Sequence, residues 1–399
     1  MDFNFDLTED EILDVARKTN KTIEEVAEDY KYALRDLEYS ANEINSIISK
    51  YHYTRFPHNI SVGGYGNNGE FTDKYICHDK LDLLCGIDSK DLAIVTGFGP
   101  TSAPTAGTLS SIFKVLELQK ETNIYTHIII SELSALNSRQ KPFNELMSYT
   151  HQFMRFIKKL GFDESNGEIR THNFIDHART FSVISSVFKV RDFVEGEAMD
   201  EIYKRLAILG NDYSTMVSQA YTVADIVLPL MRDNKRGVIV LAGLEEHLYP
   251  YLAQVALDRL KSKGGGLSSL IHPEAKVGAI YGKLVGGLFP YVKMSKSIPA
   301  SSINLGDSNK EIEEKIMNCG ERNESVILQM MTLASNWNHW EIMEANRIFK
   351  DRKKDNTSWK KLKQKYCIFF VEIKKMWDDS KYTHEIDAHE CLFHKEKIK

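Results

Sequence analysis

The feature that most restricts the fold is an unbroken apolar run, Leu92-Ala93-Ile94-Val95-Thr96, which gives way abruptly to glycine and proline. A strand that is apolar on both faces belongs inside a parallel sheet, where neither face meets water. Residues 97–108 form a turn of small residues, after which Leu109, Ile112, Phe113 and Leu116 recur at helical spacing. Strand, turn and helix in that order present free backbone N–H groups at a helix N-terminus, a setting that suits a phosphate. Gly107 has no side chain, so a base or a ribose can approach the backbone closely there.

The pattern repeats downstream. Residues 125–131 read as a second buried strand and 168–174 as a third, with helices over 143–160, 176–190, 199–209 and 213–230. Residues 237–242 are again wholly apolar and end in Gly243-Leu244-Glu245-Glu246. Alternating strands and helices imply an α/β doubly wound parallel sheet, whose ligands sit at the carboxyl ends of the strands.

At 399 residues the chain exceeds one core, and it divides into 1–88, 89–308 and 309–399. The first part reads as a helical extension. Thr8 with Glu11 and Thr22 with Glu25 are capping boxes, and a long helix then runs toward Tyr51. Residues 59–75, rich in Gly and Asn, read as a loop. A net charge of −5 argues against a generally basic nucleic-acid coat, although local basic patches remain open. Five scattered cysteines make no disulfide framework, and no apolar run reaches membrane-spanning length. With an acidic start in place of a signal peptide, the expectation is a reduced, cytoplasmic protein with no membrane partner.

A second feature carries chemistry. Lys293-Met294-Ser295-Lys296-Ser297 lies between Gly286-Gly287 and Pro299, a mobile setting for two ammonium groups. Lysine is a compact charge on a flexible stem, suited to following a phosphate whose charge moves during reaction. A solvated basic loop is the plainer alternative. Asp225, flanked by Val223, Ile226 and Val227, reads as a buried carboxylate, and such a group requires a hydrogen-bonding partner. After residue 309 the chain is helical and basic in places, with Lys350, Arg352, Lys353, Lys354, Trp359, Lys360, Lys361 and Lys363 mixing cations with an aromatic. His384, His389, Cys391 and His394 match no standard zinc spacing and read as an ordinary tail, so no metal ligand is assigned.

The lysine word resembles the signature loop of class I aminoacyl-tRNA synthetases, and other stretches over about residues 92–307 are similar to the tryptophanyl and tyrosyl members. Residues 96–102 resemble the entry to the family's first signature, which continues there as His-x-Gly-His and here as Thr105-Ala106-Gly107-Thr108. Val223-Ala224-Asp225-Ile226 resembles the helix whose Asp reads the polar atom of an indole or phenol. Thr222 stands where the family often has Gln. Gly243-Leu244-Glu245-Glu246 takes the place of Gly-x-Asp-Gln, and Ser131-Glu132-Leu133-Ser134-Ala135-Leu136 that of Ala-Asp-Leu-His-Ala-Leu. Residues 300–307 resemble the family's Asn-Ser-x-Ile-x-Leu-x-Asp tail.

The resemblance implies a Rossmann-type catalytic domain and a C-terminal helical domain that recognises the tRNA anticodon. It implies ATP-dependent activation of an aromatic amino acid, tryptophan ahead of tyrosine, with Mg²⁺ assisting, then transfer to tRNA by a homodimer. Lys293 and Lys296 would follow the leaving pyrophosphate, with Thr105 and Thr108 at the reacting phosphates. Gly97, Gly107, Gly243, Glu245, Glu246, Met294 and Ser295 would line the ATP site. Asp225, Thr222, Gln219 and Glu132 would line the amino-acid site. The altered first signature keeps two alternatives open: a paralogue that delivers the activated amino acid elsewhere, and a non-catalytic regulatory or RNA-binding relative.

Overall fold

The apolar runs do form one sheet. In a computed structural model, seven strands lie in the order β1-β2-β7-β6-β3-β4-β5. They are β1 (Thr54–Arg55), β2 (Tyr75–Asp79), β3 (Leu92–Phe98), β4 (Tyr125–Ile130), β5 (Gly167–Thr171), β6 (Gly237–Gly243) and β7 (Lys276–Gly282). The structure describes residues 13, 16–17, 22–26, 41–56, 60–66, 70–139, 141–194, 213–264, 266–289, 291, 294 and 299–383. The capping box of Thr8, the helix expected over 199–209 and the histidine-bearing tail lie outside these residues.

Strands β3 to β7 are mutually parallel, and β2 joins antiparallel to β7 with β1 beyond it. The physical cause lies in β3 and its neighbours. Leu92, Ala93, Ile94 and Val95 are 2% exposed or less, and Ile128, Ile129 and Ile130 of β4 are fully buried. Each such side chain contributes about 1.5–3 kcal/mol when removed from water. The chain winds from β3 outward through β4 to β5, then returns to place β6 on the other side of β3. The sheet's switch point therefore lies between β3 and β6. There the Thr96 hydroxyl donates to the Leu241 carbonyl at 2.9 Å.

Helices follow in chain order: α1 (Ala41–Lys50), α2 (Ala106–Thr122), α3 (Glu132–Arg139), α4 (Phe143–Lys159), α5 (Ile175–Ser185), α6 (Tyr213–Arg232) and α7 (Leu248–Ser262). They continue with α8 (Asn309–Met317), α9 (Glu324–Leu333), α10 (His339–Asp351) and α11 (Asn356–Asp378). The Thr22–Glu25 capping box is present, each side chain meeting the other's backbone N–H, at 2.7 and 3.1 Å.

Two differences from the sequence reading stand out. Residues 54–55 and 75–79, expected within a helical extension, are strands of the sheet. Strand β7 was not foreseen at all, because Gly278 and Gly282 interrupt its apolar pattern. Both glycines are close-packed: an added Cβ at Gly278 would lie 2.7 Å from Leu84 Cδ1, and one at Gly282 would lie 2.8 Å from Lys114 Nζ.

The chain forms two compact units. One comprises residues 48–102, 111–283 and 374–399 and contains the whole sheet; the other comprises 1–47, 103–110 and 284–373.

Candidate active site

In the sheet unit the foreseen strand-end residues collect at the switch point. Gly97 is exposed at the end of β3, where an added Cβ would lie 3.3 Å from Ser131 Oγ. Gly243 ends β6, and a short 3-10 turn, Leu244–Glu246, follows it. Glu245 is half-buried with its carboxylate folded over Gly243, so that an added Cβ there would strike it. Glu246 is exposed, and its Oε2 accepts the Gly243 N–H at 3.3 Å, closing the turn. An exposed carboxylate at this edge suits a hydrated Mg²⁺ that keeps its waters and takes phosphate ligands.

Glu132 begins α3 and is 2% exposed. Its two oxygens accept the backbone N–H groups of His172 and Asn173, each at 3.0 Å. Burial outweighs these bonds and raises its pKa. Glu132 thereby pins the exit of β5 to the start of α3.

Asp225, on α6, is buried as its neighbours suggested, at 4% exposure. Its partners come from the protein. Arg170 Nη1 donates to Oδ1 at 2.9 Å, and His172 Nε2 meets Oδ2 at 2.9 Å. His177 Nε2 lies 3.2 Å from Oδ1 and 3.2 Å from the Tyr221 carbonyl. Burial pushes the Asp225 pKa up, but the His172 and Arg170 charges outweigh it and hold the pKa well below the usual range. The His172 ring, whose Nδ1 accepts the Ser134 N–H at 3.3 Å, is shifted the other way: burial opposes its charge and Asp225 prevails, raising its pKa. A carboxylate offers about four acceptor positions. Three are engaged here, so a substrate polar atom would have the fourth, on Oδ2.

His172, His177 and Asp225 also bring three metal-donor atoms within 4.8 Å of one another. The Arg170 guanidinium on the same carboxylate marks them as a hydrogen-bonded charge cluster rather than a cation cage. The sequence reading missed Arg170, His172 and His177. The signal for the first two is the spacing Arg170-x-His172, which puts their side chains on one side of the chain at the end of β5.

On the same helix, Thr222 is half-buried and its hydroxyl donates to the Ser218 carbonyl at 3.3 Å. Gln219 differs. It is 1% exposed, and neither Nε2 nor Oε1 of its amide has a hydrogen-bond partner among the described residues. A buried amide without partners costs about 1–3 kcal/mol, which fits a group held for a ligand.

One more ionisable group enters this edge unforeseen. Lys114, on α2, is 3% exposed and donates to the Lys283 carbonyl at 2.8 Å. Burial, with the charges of Lys74 and Lys283, lowers its pKa to about 7, while Glu245 and Glu117 act in the opposite direction.

In the second unit, Thr105 and Thr108 form a helix cap. Thr105 Oγ1 accepts the Thr108 N–H at 3.3 Å, and the two hydroxyl oxygens are 3.4 Å apart. Thr105 is 4% exposed, while Gly107 and Thr108 are half-buried in the first turn of α2. This turn is tied to the tail that follows the lysine word. Ala106 N–H donates to the Ile303 carbonyl and Leu305 N–H to the Pro104 carbonyl, both at 2.9 Å, with Thr105 bridged to Asn304.

Asp307 organises the tail, accepting the Asn304 side-chain amide at 3.0 Å and the Lys315 ammonium at 2.7 Å. On the other side of the word, Leu288 N–H donates to the Ser301 carbonyl at 2.9 Å, and Met294 within it is 5% exposed. Lys293, Ser295 and Lys296 lie outside the described residues.

Farther along this unit Lys350, Lys353, Lys354, Lys360 and Lys361 are exposed, but the aromatic among them and Lys363 are internal. Trp359 is fully buried and its Nε1 donates to Glu324 at 3.2 Å. Lys363 is 4% exposed and donates to the Met317 carbonyl at 2.9 Å. Trp359 therefore cannot stack on a base. An exposed aromatic of this unit is Trp340 on α10, at 76%, with Met343 one turn on at 51%.

Residues 257–380 match the family model of the class I tRNA synthetases (W and Y). No curated protein matches the sequence. Among solved structures, tryptophanyl-tRNA synthetase of Aeropyrum pernix shares the fold with a TM-score of 0.63 at 17% identity, over 85% of this chain and 90% of its own. The tryptophan-bound enzyme of Encephalitozoon cuniculi gives 0.61 at 18% identity, over 84% and 95%. Tyrosyl-tRNA synthetase of Archaeoglobus fulgidus, in complex with L-tyrosine, gives 0.56 at 17% identity, over 75% and 93%. The family model thus matches part of the chain, and the fold over most of it is the one that tryptophanyl- and tyrosyl-tRNA synthetases share.

Proposed function

We propose that this chain is a class I aminoacyl-tRNA synthetase that activates tryptophan with ATP and transfers it to tRNA, working as a homodimer; the partial family match and the shared fold support this. A carboxylate oxygen of the amino acid attacks the α-phosphorus and pyrophosphate leaves. A ribose hydroxyl of tRNA then attacks the acyl carbon and AMP leaves. Catalysis of this kind is positioning and charge neutralisation more than acid–base work.

Glu245 receives the ribose hydroxyls, with Gly97 and Gly243 giving backbone access to the nucleotide. Thr105 and Thr108 offer their hydroxyls, and Gly107 its backbone N–H, at the start of α2 to phosphate oxygens. Lys293 and Lys296, flanked by Met294 and Ser295, neutralise the departing pyrophosphate. Glu246 would help to hold Mg²⁺, which would supply further charge neutralisation. Gln219 and the remaining acceptor position of Asp225 meet the amino acid, with Thr222 on the same helix beside them, while Glu132 holds the end of β5.

The observation that carries this reading is the backbone tie between residues 104–106 and 303–305, which anchors the tail of the lysine word against the first turn of α2. ATP–pyrophosphate exchange across the twenty amino acids tests it. Tryptophan-dependent exchange is expected, and no exchange with tryptophan or tyrosine would sink the reading. The Thr105 hydroxyl, occupied as a helix cap, brings no positive charge, and this favours one second reading: a paralogue whose acceptor is not tRNA. Exchange without charging of total tRNA would select it.

A further inference from the structure

At the carboxyl ends of β6 and β7 two glycines stand side by side, Gly243 in register with Gly282. Registered residues of neighbouring parallel strands face the same side of the sheet, about 4.8 Å apart. Neither position has room for a side chain. The space a Cβ would take is filled at Gly243 by the Glu245 carboxylate, and at Gly282 by Lys114 Nζ, which would be 2.8 Å away. A carboxylate and an ammonium thus occupy adjacent places on one face, and Glu245 acts on Lys114 electrostatically.

The other charges nearby are committed elsewhere. Lys74 is paired with Glu117, and Lys283 donates to the Thr72 carbonyl at 2.8 Å. Lys114 sits on α2 between Phe113 and Val115, at a depth where an apolar side chain would serve packing better than a buried ammonium. Among the described residues its one hydrogen bond, to the Lys283 carbonyl, uses one of its three donors.

We propose that Lys114 is the positioning residue for Glu245: its ammonium, seated over Gly282, holds the glutamate carboxylate over Gly243 in the orientation that receives the ribose hydroxyls of ATP. This rests on the reading of Glu245 as the ribose-binding acid. The groups facing Lys114 are Lys74, Tyr75, Glu117, Glu245 and Lys283. Because its pKa lies at about 7, the hold is present below neutrality and fades above it. KM for ATP therefore rises with pH on the alkaline side.

The test is ATP–pyrophosphate exchange with ATP and with 2′-deoxy-ATP, from about pH 6 to about pH 9, for the native protein, E245Q, K114Q, K114R and the double variant K114Q/E245Q. E245Q is expected to raise KM for ATP about tenfold and to lose the preference for ATP over its deoxy analogue. K114Q is expected to do the same with kcat within about twofold, and to add little in the double variant. K114R, charged throughout, removes the alkaline rise in KM.

If E245Q is impaired but K114Q binds ATP normally, or its effect simply adds, Lys114 has no such role while the ribose reading stands. If E245Q itself binds ATP normally, both fall. Should K114Q not fold, K114R decides alone: an alkaline rise that persists overturns the proposal.

Discussion

Asp225 shows how one residue is decided by partners that are distant in sequence. Its carboxylate is held by Arg170, His172 and His177, all buried. Removing one member of a buried charge network leaves the others uncompensated, so D225N should cost about 3–5 kcal/mol. The two titrations have opposite signs. The Asp225 pKa is lowered from 3.8, so its contribution is present above that value and lost as pH falls through the folded one. The His172 pKa is raised from 6.5, so its contribution is complete below that value and lost as pH rises through the folded one. Urea denaturation from acid to mild alkali should show both limbs in the native protein and both reduced in D225N, the acid limb that remains coming from groups such as Glu168. A D225N profile parallel to the native one would contradict the network. That a carboxylate among Val223, Ile226 and Val227 would be buried was legible in the sequence. That three protein donors would meet it was not, because Arg170 comes from β5, His172 from the residue that follows it and His177 from α5.

At the scale of the element, the strand–turn–helix of β3 and α2 followed from local preference, and its use depends on a distant segment. Residues 303–305 pair with 104–106 through backbone groups that any sequence possesses. The side chain that shapes the pairing segment is Asp307, which binds Asn304 and Lys315. D307A should loosen both the tail and the lysine word ahead of it. The expected result is a loss of exchange rate of roughly 10–100-fold, the scale for a misplaced reacting group, with folding retained by circular dichroism. An unchanged rate would show that the tail does not place the loop. Strand β7 carries the complementary lesson. Glycines weaken a strand pattern read alone, yet Gly278 and Gly282 are where Leu84 and Lys114 pack against the sheet.

For the whole molecule, the aromatic that the sequence set among cations, Trp359, is not the one the fold exposes. Trp359 lies among the basic residues and is wholly buried; Trp340, beside fewer of them, is exposed. W359A should destabilise the protein by about 3–5 kcal/mol, as loss of a large core side chain does. W340A should leave the melting temperature and amino-acid activation unchanged. It should lower kcat/KM for tRNA about tenfold, within the range of one lost base stack. Equal tRNA kinetics in W340A and the native protein would remove α10 from any contact with tRNA.

The sequence by itself determined the parallel sheet, the strand ends that bear Gly97 and Glu245, and the small-residue turn into α2, because alternation, breaker residues and caps act over a few neighbouring positions. Only the tertiary structure decided which polar side chains meet. It joined Asp225 to β5, seated Lys114 beside Glu245, drew the two N-terminal strands into the sheet and buried Trp359. The reason is that a buried charge takes its partner from whatever the fold brings within about 3 Å, and that proximity is a property of the packed chain.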